Sequence, residues 1–168
     1  TFEPIQIDHS IVPSNLPDLG DFSTGKDHVM NSSGHYYNIN VSTPLTIDTT
    51  KNDVIIVADY MNISNDIHVI GNNRAILIVK NNVNMNGPCS INYTSKHSNF
   101  DLVVQAWSLN LQNNIQFYGQ LYFEGAYLYA RNKIEISGAV FAPIANVELS
   151  ASKLRGAIDC KTLSLTQE

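Results

Sequence analysis

The chain has 168 residues, 43 % of them apolar and 15 % charged, with a net charge of −5 and a pI near 5.4. This is enough apolar material for one domain with a substantial core. The charged fraction lies below the roughly 25 % usual in soluble domains, and twenty asparagines fill polar positions instead. The acidic balance argues against nucleic-acid binding through phosphate neutralisation, and no apolar run approaches the roughly 18 residues of a membrane-spanning helix. No membrane contact by the domain itself is expected. The run from Thr1 has no signal-peptide pattern, so an exported protein would be represented by a processed portion.

Residues 1–38 contain Pro4, Pro13, Pro17, Gly20, Gly25 and Gly34, which make continuous helix improbable. They are expected to form an irregular lead-in that caps the first rung of a coil, because an open coil end exposes core and strand edges. From residue 39 to 168 the pattern changes. An apolar-x-apolar triplet recurs as Leu45-x-Ile47, Met61-x-Ile63, Val83-x-Met85, Leu109-x-Leu111, Leu128-x-Ala130, Val147-x-Leu149 and Leu163-x-Leu165, at spacings of 16, 22, 26, 19, 19 and 16 residues. A second apolar strand precedes most copies: Val54 to Ala58, Ala75 to Val79, Leu102 to Ala106, Leu121 to Phe123, Val140 to Ala142 and Ala157 to Cys160. A third lies after them: Ile67-x-Val69, Ile91, Ile115-x-Phe117, Ile134-x-Ile136 and, weakly, Leu154.

Self-similarity at this period marks a repeat in which each unit buries its apolar face by stacking on its neighbours. The alternation has period two and no window sustains a helical pattern. The predicted fold is therefore all-β: a single-stranded parallel β-helix, or β-solenoid, with three short strands per rung and about six to seven rungs. A β-sandwich has no reason to repeat the same three-strand unit. Gly71, Gly119, Gly138 and Gly156 stand just before the second kind of strand, where a sharp corner demands positive φ. Asn-rich corners such as Asn86-Gly87, Asn113-Asn114 and Arg131-Asn132 tolerate the same geometry, and asparagines at equivalent corners can form ladders.

Val54 to Ala58 and Ala75 to Val79 are nearly continuous apolar runs, so burial on both faces is expected. The N-terminal segment, a helix or a partner chain could supply the outer cover. Cys89 and Cys160 lack metal-ligand spacing; Cys160 occupies an inward position and is expected to be a buried free thiol, a disulfide being possible after export.

Two stretches are candidate binding elements. If Phe117, Leu121, Phe123 and Leu128 point inward, then Tyr118, Tyr122, Tyr127 and Tyr129 point outward and could form one aromatic surface for a glycan or a protein. The corner excursion Tyr93 to Asn99, with Lys96 and His97, is a loop candidate. No phosphate-cradling loop, nucleophile elbow or zinc-protease motif is present, and no cofactor or metal is called for. Glu124, Glu135, Glu148 and Asp159 could supply a glycosidase pair, and Arg131, Lys133, Lys153 and Arg155 a polysaccharide-lyase corner, but any solenoid offers such neighbours.

The stretch Asp53-Val-Ile-Ile-Val-Ala-Asp-Tyr-Met-Asn-Ile-Ser, then Arg74-Ala-Ile-Leu-Ile-Val-Lys-Asn-Asn-Val-Asn-Met-Asn-Gly87, resembles an uncharacterised bacterial surface β-solenoid domain. Ile136-Ser-Gly-Ala-Val-Phe-Ala-Pro-Ile-Ala-Asn-Val-Glu-Leu-Ser150 and Leu154-Arg-Gly-Ala-Ile-Asp-Cys-Lys-Thr-Leu-Ser-Leu165 look like the closing rungs of that family. Such domains often follow the N-terminal helix of type IV pilin-like proteins, minor pilins among them, or occur in other exported proteins. The resemblance implies a non-enzymatic extracellular structural or adhesive module of a bacterium, with homotypic or pilin subunit contacts. The alternatives are a self-assembling filament scaffold and, further off, a polysaccharide lyase or glycoside hydrolase.

Overall fold

A computed structural model describes residues 12–93 and 99–167. Among the described residues there is no α-helix; fourteen strands form one parallel coil of about seven turns. In chain order they are β1 (Phe22–Ser23), β2 (Val29–Met30), β3 (Gly34–Val41), β4 (Leu45–Asp48), β5 (Val54–Ile63), β6 (Ile67–Ile70) and β7 (Ala75–Asn86). Beyond them come β8 (Cys89–Ile91), β9 (Phe100–Val104), β10 (Ser108–Gln112), β11 (Ile115–Phe123), β12 (Tyr127–Arg131), β13 (Glu135–Ser150) and β14 (Lys153–Thr166).

Each turn has three walls. The first wall stacks Val54, Ala75 and Phe100, and continues through Leu102, Leu121, Val140 and Ile158. The second stacks Ile39, Met61 and Val83, then Leu109, Leu128, Val147 and Leu163. The third stacks Leu45, Ile67 and Ile91, then Phe117, Ile136 and Leu154. Long strands such as β13 run through all three walls, bending at corners. The inward residues of the walls form one continuous buried core. Alternation thus places one side chain in the core and the next outside, turn after turn.

Two expectations need correction. Leu45-x-Ile47 belongs to the third wall, paired with Ile67 and Val69; the second-wall copy before Met61-x-Ile63 is Ile39-x-Val41. The triplets look alike because every wall needs the same inward-outward-inward pattern. The coil also starts before residue 39. Phe22 pairs with Ile39 and Val29 with Thr46, and Leu19 and His35 exchange backbone bonds with His35 and Pro17. Strands of two residues carry too little alternation to be seen in sequence.

The corner before the first wall is built from glycine. Gly119, Gly138 and Gly156 are stacked partners with φ of +154°, +138° and +142°. At the corner between the second and third walls, Asn113 Nδ2 donates to Asn86 Oδ1 at 2.7 Å and Asn132 Nδ2 to Asn113 Oδ1 at 3.3 Å, an asparagine ladder. Asn113, Asn114, Asn132 and Lys133 all have positive φ there.

The outside of the first wall is apolar. Val57, Ile76, Ile78 and Val103 form a second buried cluster, and Val12 and Leu16 of the N-terminal segment pack on it with Ile55 and Tyr122. Of the covers considered, the N-terminal segment supplies this one. Cys89 lies buried in the third wall and Cys160 half-buried in the first; both are free. Cys160 is less buried than expected because its turn is the last described one and is covered from one side only.

Candidate functional site

Phe117, Leu121, Phe123 and Leu128 are buried, and Tyr118, Tyr122, Tyr127 and Tyr129 stand on the outer side of the strands. They do not share a surface. Tyr118 is on the third wall, edge-on to Tyr93 with ring centroids 4.9 Å apart. Tyr122 is on the first wall, stacked on Phe141 at 4.9 Å and joined to the covered apolar cluster; burial pushes its hydroxyl pKa up. Only Tyr127 and Tyr129 lie together, on the second wall, with parallel rings 6.3 Å apart. Sequence alternation tells in from out, but a coil has three outsides. Of the loop candidates, Lys96 and His97 lie outside the described residues; Tyr93 is described and faces Tyr118.

The second wall gathers more than these two rings. Trp107, the single tryptophan of the chain, sits at the corner leading into β10, 71 % exposed, with its ring centroid 6.1 Å from that of Tyr127. Its backbone carbonyl accepts from Ala126 N at 2.8 Å, so the corner is fixed by the next turn. Arg131 lies over the Tyr129 ring at 4.7 Å and bonds Glu148 at 3.2 Å. The result is a shelf of three aromatic side chains ended by a cation whose charge is satisfied in place.

Around this shelf the wall is made of amides and hydroxyls. Asn40, Asn62 and Asn84 are successive partners in one outward column. In the later turns the outward columns read Ser108, Tyr127, Asn146 and Thr162; Asn110, Tyr129, Glu148 and Ser164; and Gln112, Arg131, Ser150 and Thr166. Parallel strands set such columns at a spacing of about 4.8 Å, and their amide and hydroxyl members Ser108, Asn110, Gln112, Asn146, Thr162 and Ser164 both donate and accept hydrogen bonds. Sequence reasoning missed Trp107, although a signal existed: at the equivalent position the next two turns carry Ala126 and Ala145.

Glu135 and Glu148 do not face each other as an acid-base pair. Glu135 is on the third wall, bonded to Arg155 at 3.2 Å, and Glu148 on the second, bonded to Arg131. Of the four cations, Lys133 and Lys153 line one shallow cleft with Glu135, to which Arg155 is bonded, while Arg131 goes to Glu148 on another wall. Among the described residues no three His, Cys, Asp or Glu side chains come close enough to hold a metal ion.

A groove of about 450 Å³ lies between the N-terminal segment and the first wall, lined by Val12, Leu16, Asp18, His35, Ile78 and Lys80 among others. At its rim His35 Nδ1 meets Asp18 Oδ1 at 2.6 Å and Nε2 meets Asp59 Oδ1 at 2.9 Å. With a carboxylate on each nitrogen, first Asp59 and then Asp18, its pKa is raised above 6.5. In its protonated form His35 clamps the lead-in to the wall through both carboxylates. A raised folded pKa means that this stabilisation is complete below the unfolded value and lost as pH rises through the folded one. Backbone amides of residues 18–20 should therefore exchange faster at pH 9 than at pH 6 beyond the intrinsic pH effect, and His35→Gln should abolish that difference. Equal protection at both pH values would remove the clamp.

These features define the class: a single-chain parallel β-solenoid with one amide-rich, aromatic-bearing wall. The chain belongs to the family described as Domain of unknown function (DUF7305), which matches residues 9–168. No curated protein and no solved structure matches it.

Proposed function

We propose that the chain is a non-enzymatic structural and adhesive module exposed at the surface of a bacterium, and that its second wall binds a neutral glycan on the Trp107, Tyr127 and Tyr129 shelf. The observation that carries this reading is Trp107, left 71 % exposed beside two further rings on a wall of amides and hydroxyls. Large apolar side chains exposed in a group mark interaction sites. Flat rings offer contact to the C–H faces of a sugar, and the neighbouring Asn110, Gln112 and Asn146 match its hydroxyls as both donors and acceptors.

A neutral ligand is favoured because the two charges beside the shelf, Arg131 and Glu148, neutralise each other. The same amides and hydroxyls make a protein partner less apt, since protein interfaces concentrate apolar contact at their centre. A surface location rests on the resemblance to bacterial surface solenoids, and a stiff coil suits display. The polysaccharide-cleaving alternative is weaker because Glu148, the acid closest to the shelf, is held by Arg131.

Affinity electrophoresis through gels containing a soluble β-glucan, a mannan or polygalacturonate tests this. The protein should be retarded by at least one of the neutral polymers, and Trp107→Ala should weaken that binding by about tenfold or more, the worth of one well-packed aromatic contact. Tyr118→Ala, on another wall, should bind like wild type. No retardation by either neutral polymer, or full retardation of the Trp107→Ala, Tyr127→Ala double variant, would sink the reading.

A further inference from the structure

The pair of rings at Trp107 and Tyr127 has a counterpart on the same wall. Tyr37 stands where β3 bends from the first wall into the second, one residue before Asn38, as Trp107 stands one residue before Ser108. Asn38 is paired with Tyr60 of the next turn, as Ser108 is paired with Tyr127. In both places the corner ring therefore meets the first outward ring of the following turn. Centroids are 5.5 Å apart at 74° for Tyr37 and Tyr60, and 6.1 Å apart at 68° for Trp107 and Tyr127, both edge to face. Each corner is fixed by the backbone of a neighbouring turn, Tyr37 N donating to Gly20 O at 2.8 Å as Trp107 O accepts from Ala126 N. Tyr37 is 56 % and Tyr60 38 % exposed, so neither ring serves the core.

The second-wall strands follow one another in the order β3, β5, β7, β10 and β12. Tyr60 and Tyr127 are thus three strand spacings apart along the coil, about 14 Å. The wall between them is uncharged: Asn62, Asn84 and Asn110 stand exposed, with Asn82 and Ser108 beside them. Asp59, next to Tyr60 in the chain, is bonded to His35 at 2.9 Å. Arg131 and Glu148, beside the other pair, bond each other. A ligand for this strip offers apolar faces at both ends, hydroxyls between them and no charge. It must also be straight, because both pairs stand at the same place on successive turns of one wall. A glycan chain linked equatorially at both ends of each ring, as in cellulose or β-mannan, is a ribbon that keeps its ring faces in line. An α-linked chain such as maltohexaose curls away from the line.

We propose that Tyr37 and Tyr60 form a second aromatic subsite, and that the second wall takes a neutral, equatorially linked polysaccharide lying along the coil axis, one chain covering both pairs. The proposal rests on the glycan reading of the Trp107 shelf and adds the ligand's direction, its linkage and a length below which affinity falls. A disaccharide covers one pair only. Once one chain reaches both, the second contact forms at high effective concentration, and affinity rises steeply.

Titrations of the full chain, read through Trp107 emission, test this. Cellohexaose or mannohexaose, long enough to bridge the pairs, should bind at least about 30-fold tighter than cellobiose or mannobiose. Tyr37→Ala combined with Tyr60→Ala should weaken that hexasaccharide by about tenfold or more and leave the disaccharide at Trp107 unchanged. Tyr37→Phe combined with Tyr60→Phe, which keeps both rings, should bind like wild type. Maltohexaose should gain nothing over maltose. A hexasaccharide held no tighter than its disaccharide overturns the bridging, and an equal gain by maltohexaose overturns the linkage. If the double alanine variant binds the hexasaccharide like wild type while Trp107→Ala, followed by calorimetry, has lost it, the second subsite falls and the shelf stands. If neither hexasaccharide binds a chain that soluble β-glucan or mannan still retards in a gel, the proposal fails alone; without retardation, the shelf reading fails with it.

Discussion

Replacing Gly138 with alanine should destabilise the protein by at least about 3 kcal/mol, which for a chain of this size lowers the melting temperature by roughly 6–12 °C. Two independent constraints meet at this residue. Its φ of +138° is a conformation that side-chain-bearing residues rarely adopt, and a Cβ built there would lie 1.9 Å from the carbonyl oxygen of Gly119 in the turn below. That oxygen belongs to backbone held in the parallel ladder, so it cannot rotate away as a side chain could. Relief requires the two turns to move apart, which breaks the pairing of β11 with β13 on either side of the corner. Gly25→Ala is the control: its nearest contact is Ser23 Oγ at 3.6 Å, and a surface change of this kind stays within about 0.5 kcal/mol. Thermal melts of the two variants give the comparison.

Leu128→Asp should cost about 4 kcal/mol or more, since it places a carboxylate without a partner in the core. Leu128 is fully buried, stacked between Leu109 and Val147 in the second wall. Because a solenoid couples each turn chiefly to its neighbours, hydrogen exchange should rise first in β10, β12 and the second-wall part of β13, while β3 and β5 keep their protection. Tyr129→Ser, one residue along and on the outer side, should be far milder, losing the ring contacts to Tyr127 and Arg131. If the two substitutions cost the same, the inward-outward register of β12 is wrong.

The fold was legible because the chain repeats one physical problem. Each turn must bury three short apolar patches, and Met61-x-Ile63, Val83-x-Met85, Leu109-x-Leu111 and Leu128-x-Ala130 solve it at the same place. Gly71, Gly119, Gly138 and Gly156 were readable as corners because no other residue suits positive φ at so close an approach; all four adopt it. The assignment of Leu45-x-Ile47 failed for the complementary reason: period-two alternation is the same on all three walls, and only the pairing of β4 with β6 reveals which wall it lines. The short strands β1 and β2 carry no repeat of their own, and their place comes from contacts with β3 and β4.

The candidate site was half legible. Alternation along β11 and β12 told which tyrosines face out, yet four outward rings on a coil need not see one another. Tyr118 and Tyr122 are separated from Tyr127 by corners at Gly119 and Gly125, which send the strands onto different walls. Trp107 belongs to the shelf through a corner, where strand alternation gives no direction. The amide lattice was visible as an abundance of asparagine, but its concentration on the second wall emerges only once Asn40, Asn62 and Asn84 are stacked.

Trp107 is the single tryptophan of the chain, so its fluorescence reports on the shelf alone. Titration of the full chain with a soluble β-glucan and a mannan, against polygalacturonate as a charged comparison, should shift the emission to the blue with a neutral polymer. The shift should saturate and be absent with the charged one, as a ring 71 % exposed to water becomes covered by sugar. Emission that stays unchanged while a neutral polymer is shown by gel retardation to be bound would place the ligand elsewhere and contradict the account.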